Sequence, residues 1–170
     1  MPMVSGVRRY LVKALLLLLE RRDFEDISIK ELLLKAGVSK ASFYRNYKTK
    51  EDILDDYFQG LFSIAPLAKD KTLNGFRGSY LLFLQQLWGE KKNLTILSRR
   101  DLLSKMLPYL FAYHRSFLGN EGELLKDPAN LSAIVGALSS LTYDWMKNGF
   151  LHSPSSFCEL SAKTLTRFLE

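Results

Sequence analysis

Two short helical segments joined by a tight turn constrain the fold of this chain more than any other feature. Ser28 and Glu31 have the spacing of a capping box, in which the serine hydroxyl accepts from a backbone amide and the glutamate reaches back. Gly37 should end the first segment, because glycine readily adopts the left-handed conformation found at helix C-termini. Ser39 caps the second segment. The turn at residues 36–39 therefore predicts a helix-turn-helix.

Helical periodicity also dominates the rest of the chain, which has no convincing alternating strand pattern. A second capping box, with Thr49 as the cap and Asp52 in the place of the usual glutamate, predicts a helix that runs toward Pro66. We expect the clearest loop at residues 119–128. The remaining helices are expected at residues 6–22, 74–88, 94–105, 108–118, 129–148 and 155–169.

Prolines support these boundaries. Pro108, Pro128 and Pro154 fall at expected helix starts, where a missing amide donor costs little. The sequence predicts an all-α fold of about nine helices, in which an N-terminal three-helix domain with the helix-turn-helix precedes a C-terminal helical bundle. We place the boundary between residues 1–50 and residues 51–170.

Composition indicates what kind of partner the protein binds and in which compartment it works. The net charge of +6 and the isoelectric point of about 9.4 favour a polyanionic partner. The single cysteine, Cys158, excludes an intrachain disulfide and favours a reducing, cytoplasmic location. The apolar run at residues 14–19 is too short for a signal peptide or a membrane helix, and we expect no membrane association.

Positive charge is concentrated on the turn and the second helix. Residues 35–50 contain no acid, whereas acids are frequent on both sides of this window. Cations of this kind can meet phosphates, and the small Ala41 and Ser42 would let the helix approach base edges. The basic residues of the window are Lys35, Lys40, Arg45, Lys48 and Lys50.

The same segments resemble a known family. Residues 27–32 (ISIKEL), 36–47 (AGVSKASFYRNY) and 50–54 (KEDIL) are similar, in register, to the N-terminal domain of TetR family regulators. The resemblance implies a transcription regulator that binds a double-stranded DNA operator as a homodimer. It further implies repression that a small-molecule effector releases.

The resemblance also assigns roles within the helix-turn-helix. Base-reading positions of the family are held by Lys40, Ala41 and Ser42, with Lys30 as a further candidate. Asn46 stands where the family commonly has His or Tyr. Positions that usually hold phosphates are occupied by Ser28, Tyr44, Asn46 and Lys50, and Ser39 and Arg45 complete the expected DNA-binding set.

The family places effector sensing and dimerisation in the C-terminal helical bundle, residues 51–170, which we call the body. Small residues favour a dimer interface at Gly136, Ala137, Ser139, Ser140 and Tyr143, with an ordinary internal helix as the alternative. Residues 145–150, with Ser153 and Pro154, are similar to the bodies of regulators from low-GC Gram-positive bacteria. Aromatic side chains could wall a ligand pocket or simply form core. The candidate walls are Tyr80, Phe83, Trp88, Met106, Tyr109, Tyr113 and Trp145.

Residues that could support catalysis or metal binding are scarce. His114 and His152 are the only histidines, and Cys158 has no spaced partner for a zinc site. No glycine-rich loop suited to phosphates is present. We therefore expect no enzyme activity, no metal and no cofactor. The alternative to a ligand-responsive regulator is one that acts through a protein partner.

Overall fold

The computed structural model describes residues 6–63, 73–118 and 127–169. Within these ranges the chain forms α-helices, one 3₁₀ helix at Leu103–Met106 and no strand, which confirms the all-α prediction. The α-helices are α1 (Gly6–Leu19), α2 (Ile29–Ala36), α3 (Lys40–Asn46), α4 (Glu51–Ser63), α5 (Leu73–Gly89), α6 (Lys91–Arg99), α7 (Leu107–Leu118), α8 (Pro128–Lys147) and α9 (Pro154–Leu169).

Helices α1 to α3 form a small N-terminal head. Apolar side chains from each helix meet in its core, where Leu11, Leu32 and Phe43 are fully buried. Burial of these side chains, rather than the propensity of two helices as short as α2 and α3, supplies most of the stability of the head.

The predicted helix caps are present around the turn. Ser28 Oγ accepts from the Glu31 amide at 3.2 Å, and Gly37 has a φ of 64°. Ser39 Oγ accepts from the Ser42 amide at 3.2 Å. One detail of the first capping box was wrong. The Glu31 carboxylate does not reach back to Ser28, because both of its oxygens accept from Arg22 Nη1 at 2.8 and 2.9 Å.

The capping box before α4 is confirmed in both directions. Asp52 Oδ2 accepts from the amides of Thr49 at 3.0 Å and Lys48 at 2.6 Å, and the Asp52 amide donates to Thr49 Oγ1 at 3.4 Å. The backbone amides of Thr49 and Lys48 hold the pKa of the Asp52 carboxyl below its usual range, because they stabilise the charged form. Helix α4 therefore begins where the sequence predicts.

Two helices, α1 and α6, differ from the prediction by more than one residue at an end. Helix α1 ends at Leu19 rather than at residue 22, and Leu19 O accepts from Arg100 Nε of the body. Helix α6 was expected at 94–105 but spans Lys91–Arg99. It ends because Asp101 adopts a φ of 56° and the Leu102 amide bonds back to Leu97 O at 2.9 Å. Most of the expected loop at 119–128, and Pro66, lie outside the described residues.

The body packs its helices in pairs. Helix α7 lies against α8, α5 lies against α9, and α6 contacts both α8 and α1. Asp127 caps α8 by accepting from the Ala129 amide at 3.0 Å, with Pro128 in the first turn as predicted. The contact between α6 and α1 joins the body to the head.

Candidate nucleic-acid interface

One face of α3 points away from the protein. Lys40, Ala41, Tyr44 and Arg45 are exposed, whereas Phe43 is fully buried beneath them. These four positions have the spacing of a single helix face. Tyr44 is held edge-on by the Phe43 ring, with the ring centroids 5.0 Å apart. We call Lys40, Ala41, Tyr44 and Arg45 the α3 strip.

The α3 strip is positively charged and has no acid beside it. Among the described residues, no carboxylate lies within 4.0 Å of Lys40, Arg45 or the neighbouring Lys48. Lys40 Nζ instead lies 6.0 Å from the centroid of the Tyr44 ring. Cations without a carboxylate partner, next to a small Ala41, form a surface suited to a phosphate backbone and base edges.

Predicted residues at the start of α2 are exposed, and the serines of α3 serve as caps. Ser28 and Lys30 are exposed at the start of α2. Ser39 Oγ also donates to Ser42 Oγ at 3.1 Å, and Ser42 is half-buried. These two serines hold the N-terminal turn of α3, which sets the direction of the α3 strip. A contact from either one to DNA stays a prediction.

Asn46 connects α3 to α1 rather than pointing outward. Its Nδ2 donates to Ser42 O at 2.8 Å, and its Oδ1 accepts from Arg8 Nε at 3.4 Å. Arg8 Nη1 also lies 3.2 Å from Asp56 Oδ1, and Asp56 Oδ2 accepts from Tyr47 Oη at 2.6 Å. Burial and the Asp56 carboxylate raise the pKa of the Tyr47 hydroxyl. The predicted phosphate contact of Asn46 would have to coexist with these bonds.

Lys50 is turned inward to the loop before α2. Its Nζ donates to the carbonyl oxygens of Phe24 at 2.5 Å, Glu25 at 3.2 Å and Ile27 at 3.1 Å, and lies 4.4 Å from the Phe24 ring centroid. Three carbonyls match the three donors of an ammonium group. In this arrangement Lys50 positions the loop, and its predicted phosphate contact is untested.

The candidate pocket residues lie in two packed aromatic groups. Phe83 and Tyr113 stack at 4.1 Å, and the ring of Phe62 contacts both. Trp88 and Trp145 stack separately at 6.1 Å. Tyr80 and Met106 are buried, and Tyr109 stacks on Phe62. The described aromatic contacts thus place Phe83 and Tyr113 in one group and Trp88 and Trp145 in another, and the role of the seven side chains as pocket walls stays a prediction.

The small residues of α8 divide between two faces. Ser140 is exposed, and Gly136, Ala137 and Tyr143 are partly exposed. Ser139 differs, because it is fully buried and its Oγ lies 3.0 Å from His114 Nδ1 of α7. Ser139 therefore faces the interior of the chain, away from the face that a second copy could reach.

Two arginines that join distant elements had no local sequence signal. Arg8 links α1 to α3 and α4, while Arg100 links the end of α6 to Leu19 and Asp23. Their partners are 38 to 81 residues away in the chain. Only the tertiary fold brings these groups together.

Two other kinds of feature are absent from the part of the chain that the structure describes. No helix there is both long and apolar enough to cross a lipid bilayer. That part of the chain also holds no group of three or more His, Cys, Asp or Glu side chains able to bind a metal ion.

Comparison with known proteins agrees with this geometry. Residues 11–57, which contain the helix-turn-helix and most of α4, match the family described as bacterial regulatory proteins, tetR family. No curated protein matches the chain significantly in sequence. A solved structure named dihydroxyacetone kinase operon activator DhaS is similar in fold, with a TM-score of 0.66 and 16% identity over 95% of this chain and 94% of that one. Residues 11–57 thus carry the N-terminal domain of the tetR family of bacterial regulatory proteins, and the whole chain shares its fold with DhaS.

Proposed function

We propose that the chain is a homodimeric regulator that reads a specific operator through α3. The observation that carries this proposal is the α3 strip, where exposed cations and an exposed tyrosine surround a small alanine. A recognition helix enters the major groove with such short side chains close to the base edges. The bound nucleic acid is double-stranded DNA, and the protein acts in the cytoplasm.

The residues of the interface divide into two roles. Lys40, at the start of α3, donates to guanine acceptors, and Ala41 allows close approach to a thymine methyl group. Tyr44 and Arg45 contact phosphates, as does Ser28 at the start of α2, and Lys30 is a further candidate for reading bases. Phosphate contacts position the head, and base contacts select the sequence.

Dimerisation through α8 would place two heads on one duplex. Gly136 supports this, because a Cβ added there would meet no atom within 4 Å in the single chain. Ala137, Ser140 and Tyr143 share the accessible side of the helix. Two related heads require half-sites about one helical turn apart, or a multiple of that distance. The operator is therefore a palindrome.

The body, residues 51–170, carries the dimer face and responds to an effector. We infer that a small molecule bound to it changes the spacing of the two heads and releases repression. The similar fold of DhaS belongs to a protein named an operon activator. A reporter gene behind the protein's own upstream DNA measures the sign of regulation.

Fluorescence anisotropy with that upstream DNA tests the reading surface. Tyr44→Ala should weaken binding to all sequences, whereas Lys40→Ala should change the preference between operator variants. Lys163→Ala, an exposed lysine of α9, is the matched control and should leave binding unchanged. If neither α3 variant changes DNA binding, α3 is not the reading helix.

Analytical ultracentrifugation tests the dimer face. Gly136→Arg should convert the dimer to monomer, because a long charged side chain would project from the centre of the interface. Gly78→Arg on α5 is the control, since Gly78 is also helical and has open space around its Cα. Equal oligomeric states for the two variants would rule out this face of α8.

A further inference from the structure

A large open cavity lies where the head meets the body. Its volume is about 910 Å³, near the upper end of the range for small-molecule sites. The wall on one side is α1, and the walls on the other are α4 and the junction between α5 and α6. None of the residues that the sequence suggested as pocket walls lines this cavity.

The acids that line the cavity are already engaged. Glu20 pairs with Lys92 at 2.7 Å. Asp56 accepts from the Arg8 guanidinium and the Tyr47 hydroxyl. Glu90 Oε2 accepts from Tyr57 Oη at 2.9 Å and Asn93 Nδ2 at 2.8 Å. Each carboxylate therefore has a donor from the protein.

Two cations of the lining have no such partner. Arg9 and Lys13 are exposed, and no carboxylate of the described residues lies within 4.0 Å of either one. They are four residues apart on α1, so their side chains lie on one face of the helix, where both can reach a single anion. The lining holds three cations and three carboxylates, and Arg9 and Lys13 are the two cations of the lining left without a carboxylate partner in the described part of the chain.

The rest of the lining offers an apolar surface. Leu16 and Leu61 are buried beneath the cavity, while Leu17 is 38% exposed. Gly60 and Gly89 also line it, and a Cβ added at either position would meet no atom within 4 Å. Side chains at these glycines would therefore extend into open space, so their absence keeps the cavity wide.

We infer that this cavity binds a small organic anion with an apolar body, such as a long-chain or aromatic carboxylate. The carboxylate accepts from Arg9 and Lys13 at the rim, and the apolar body covers the leucines below. A cationic amphiphile would meet the same leucines but would be repelled by the two free cations.

Binding at this place has a direct route to the reading helix. Helix α1 forms one wall of the cavity and is joined to α3 through Arg8 and Asn46. A ligand that favours one arrangement of α1 against α4 and α6 changes the affinity of the head for DNA. This coupling rests on the proposed function, whereas binding of the anion does not.

Isothermal titration calorimetry with the full chain and no DNA tests the site. Dodecanoate below its micelle concentration is the probe, and dodecyltrimethylammonium is the matched cation. We expect one dodecanoate per chain and at least tenfold weaker binding of the cation. Lys13→Gln should weaken dodecanoate binding about tenfold, whereas Lys163→Gln, with the same change in net charge, should not.

Filling the cavity gives an independent test. Gly60→Leu should abolish dodecanoate binding while the helical circular dichroism is retained, and Gly78→Leu on an open part of α5 should bind normally. Unchanged binding in both Lys13→Gln and Gly60→Leu would overturn the site. Equal affinity for the cationic probe would also overturn the site. The site would likewise be overturned if Arg9→Gln lost DNA binding but kept its dodecanoate binding.

Anisotropy with and without dodecanoate separates the two proposals. We expect saturating dodecanoate to lower operator affinity at least fivefold in the parent chain and to have no effect in Gly60→Leu. Absence of any operator binding would overturn the proposed function and leave the calorimetric result standing. Absence of calorimetric binding would overturn the anion site, whatever the DNA result.

Discussion

Arg100 Nε donates a hydrogen bond of 2.9 Å to the carbonyl oxygen of Leu19, the last residue of α1. Its Nη1 atom lies 2.6 Å from Asp23 Oδ1. The last carbonyls of a helix have no intrahelical partner and carry partial negative charge, so a guanidinium is a favourable neighbour. A residue at the end of α6 in the body thus holds the end of a helix of the head.

Arg100→Gln should lower the free energy of unfolding by about 1–2 kcal/mol, because it removes a charge-assisted bond to a helix end. Most of this loss comes from the Leu19 carbonyl, since Asp23 is 66% exposed and an ion pair there contributes little. Urea unfolding measures the change. Arg99→Gln removes the adjacent exposed arginine and should leave the midpoint unchanged. Equal midpoints for the two variants would contradict the assignment.

Arg45→Gln should reduce the salt dependence of operator binding. Each phosphate contact contributes about 0.9 to the slope of log affinity against log salt, so loss of one contact lowers the slope by about 1. Anisotropy titrations at several salt concentrations provide the slope. Lys163→Gln makes the same change in net charge far from the α3 strip and should keep the parental slope. A parental slope in Arg45→Gln would exclude Arg45 from the phosphate contacts.

Lys50→Met should destabilise the head, because three carbonyls lose the ammonium group that they share. We expect a loss of about 1–3 kcal/mol in urea unfolding. Lys48→Met changes an exposed lysine two residues away and should cost much less. If Lys50→Met instead keeps its stability and lowers the salt slope of DNA binding, Lys50 is a phosphate contact as the resemblance implied.

His114 should make folding stability depend on pH. The side chain is fully buried and its Nε2 has no hydrogen-bond partner among the described residues, and this burial lowers its pKa to about 3. The unfolded chain, with a histidine pKa of about 6.5, binds the proton more readily. Stability is therefore complete above pH 6.5 and falls by about 1.4 kcal/mol per unit as the pH drops from there toward 3.

Urea unfolding between pH 7 and 5.5 measures this dependence. His114→Gln should flatten the pH profile, whatever its stability at pH 7. His152→Gln removes the exposed histidine and should retain the parental slope. A parental slope in His114→Gln would show that other groups cause the loss of stability in this range.

Gly37→Ala should cost about 1–2 kcal/mol, because a Cβ is unfavourable at a φ of 64° even where space is open. Gly78→Ala provides the contrast, since this glycine is helical and exposed. That variant should gain about 0.5–1 kcal/mol. Thermal unfolding monitored by circular dichroism compares the two. A shift in the same direction for both would contradict the left-handed assignment at Gly37.

Local signals predicted much of the fold. The caps at Ser28, Ser39 and Thr49 and the stop at Gly37 involve groups within a few residues of one another, so spacing alone identifies them. The ends of α1 and α6 were less predictable. Periodicity continues past Leu19, and the carbonyl that ends α1 is bound by Arg100, 81 residues away.

The candidate site was predictable in outline but not in detail. Charge segregation indicated α3, yet it could not distinguish Arg45, which is exposed, from Lys50, which binds carbonyls 23 to 26 residues away. Aromatic composition likewise cannot show whether rings such as Phe83 and Tyr113 pack together or enclose a ligand. The cavity at α1 is lined by residues of ordinary type, and only their tertiary arrangement reveals it.

The bond between Arg8 and Asn46 joins α1 to α3, so a tilt of α1 would change the fit of the two heads to the operator. Helix α1 has 14 residues, so it is about 21 Å long, and a tilt of about 5° at one end moves the other by roughly 2 Å. Direct hydrogen bonds to bases fail well within that distance. In a symmetric dimer both heads would tilt in opposite senses, and the mismatch with the two half-sites would double.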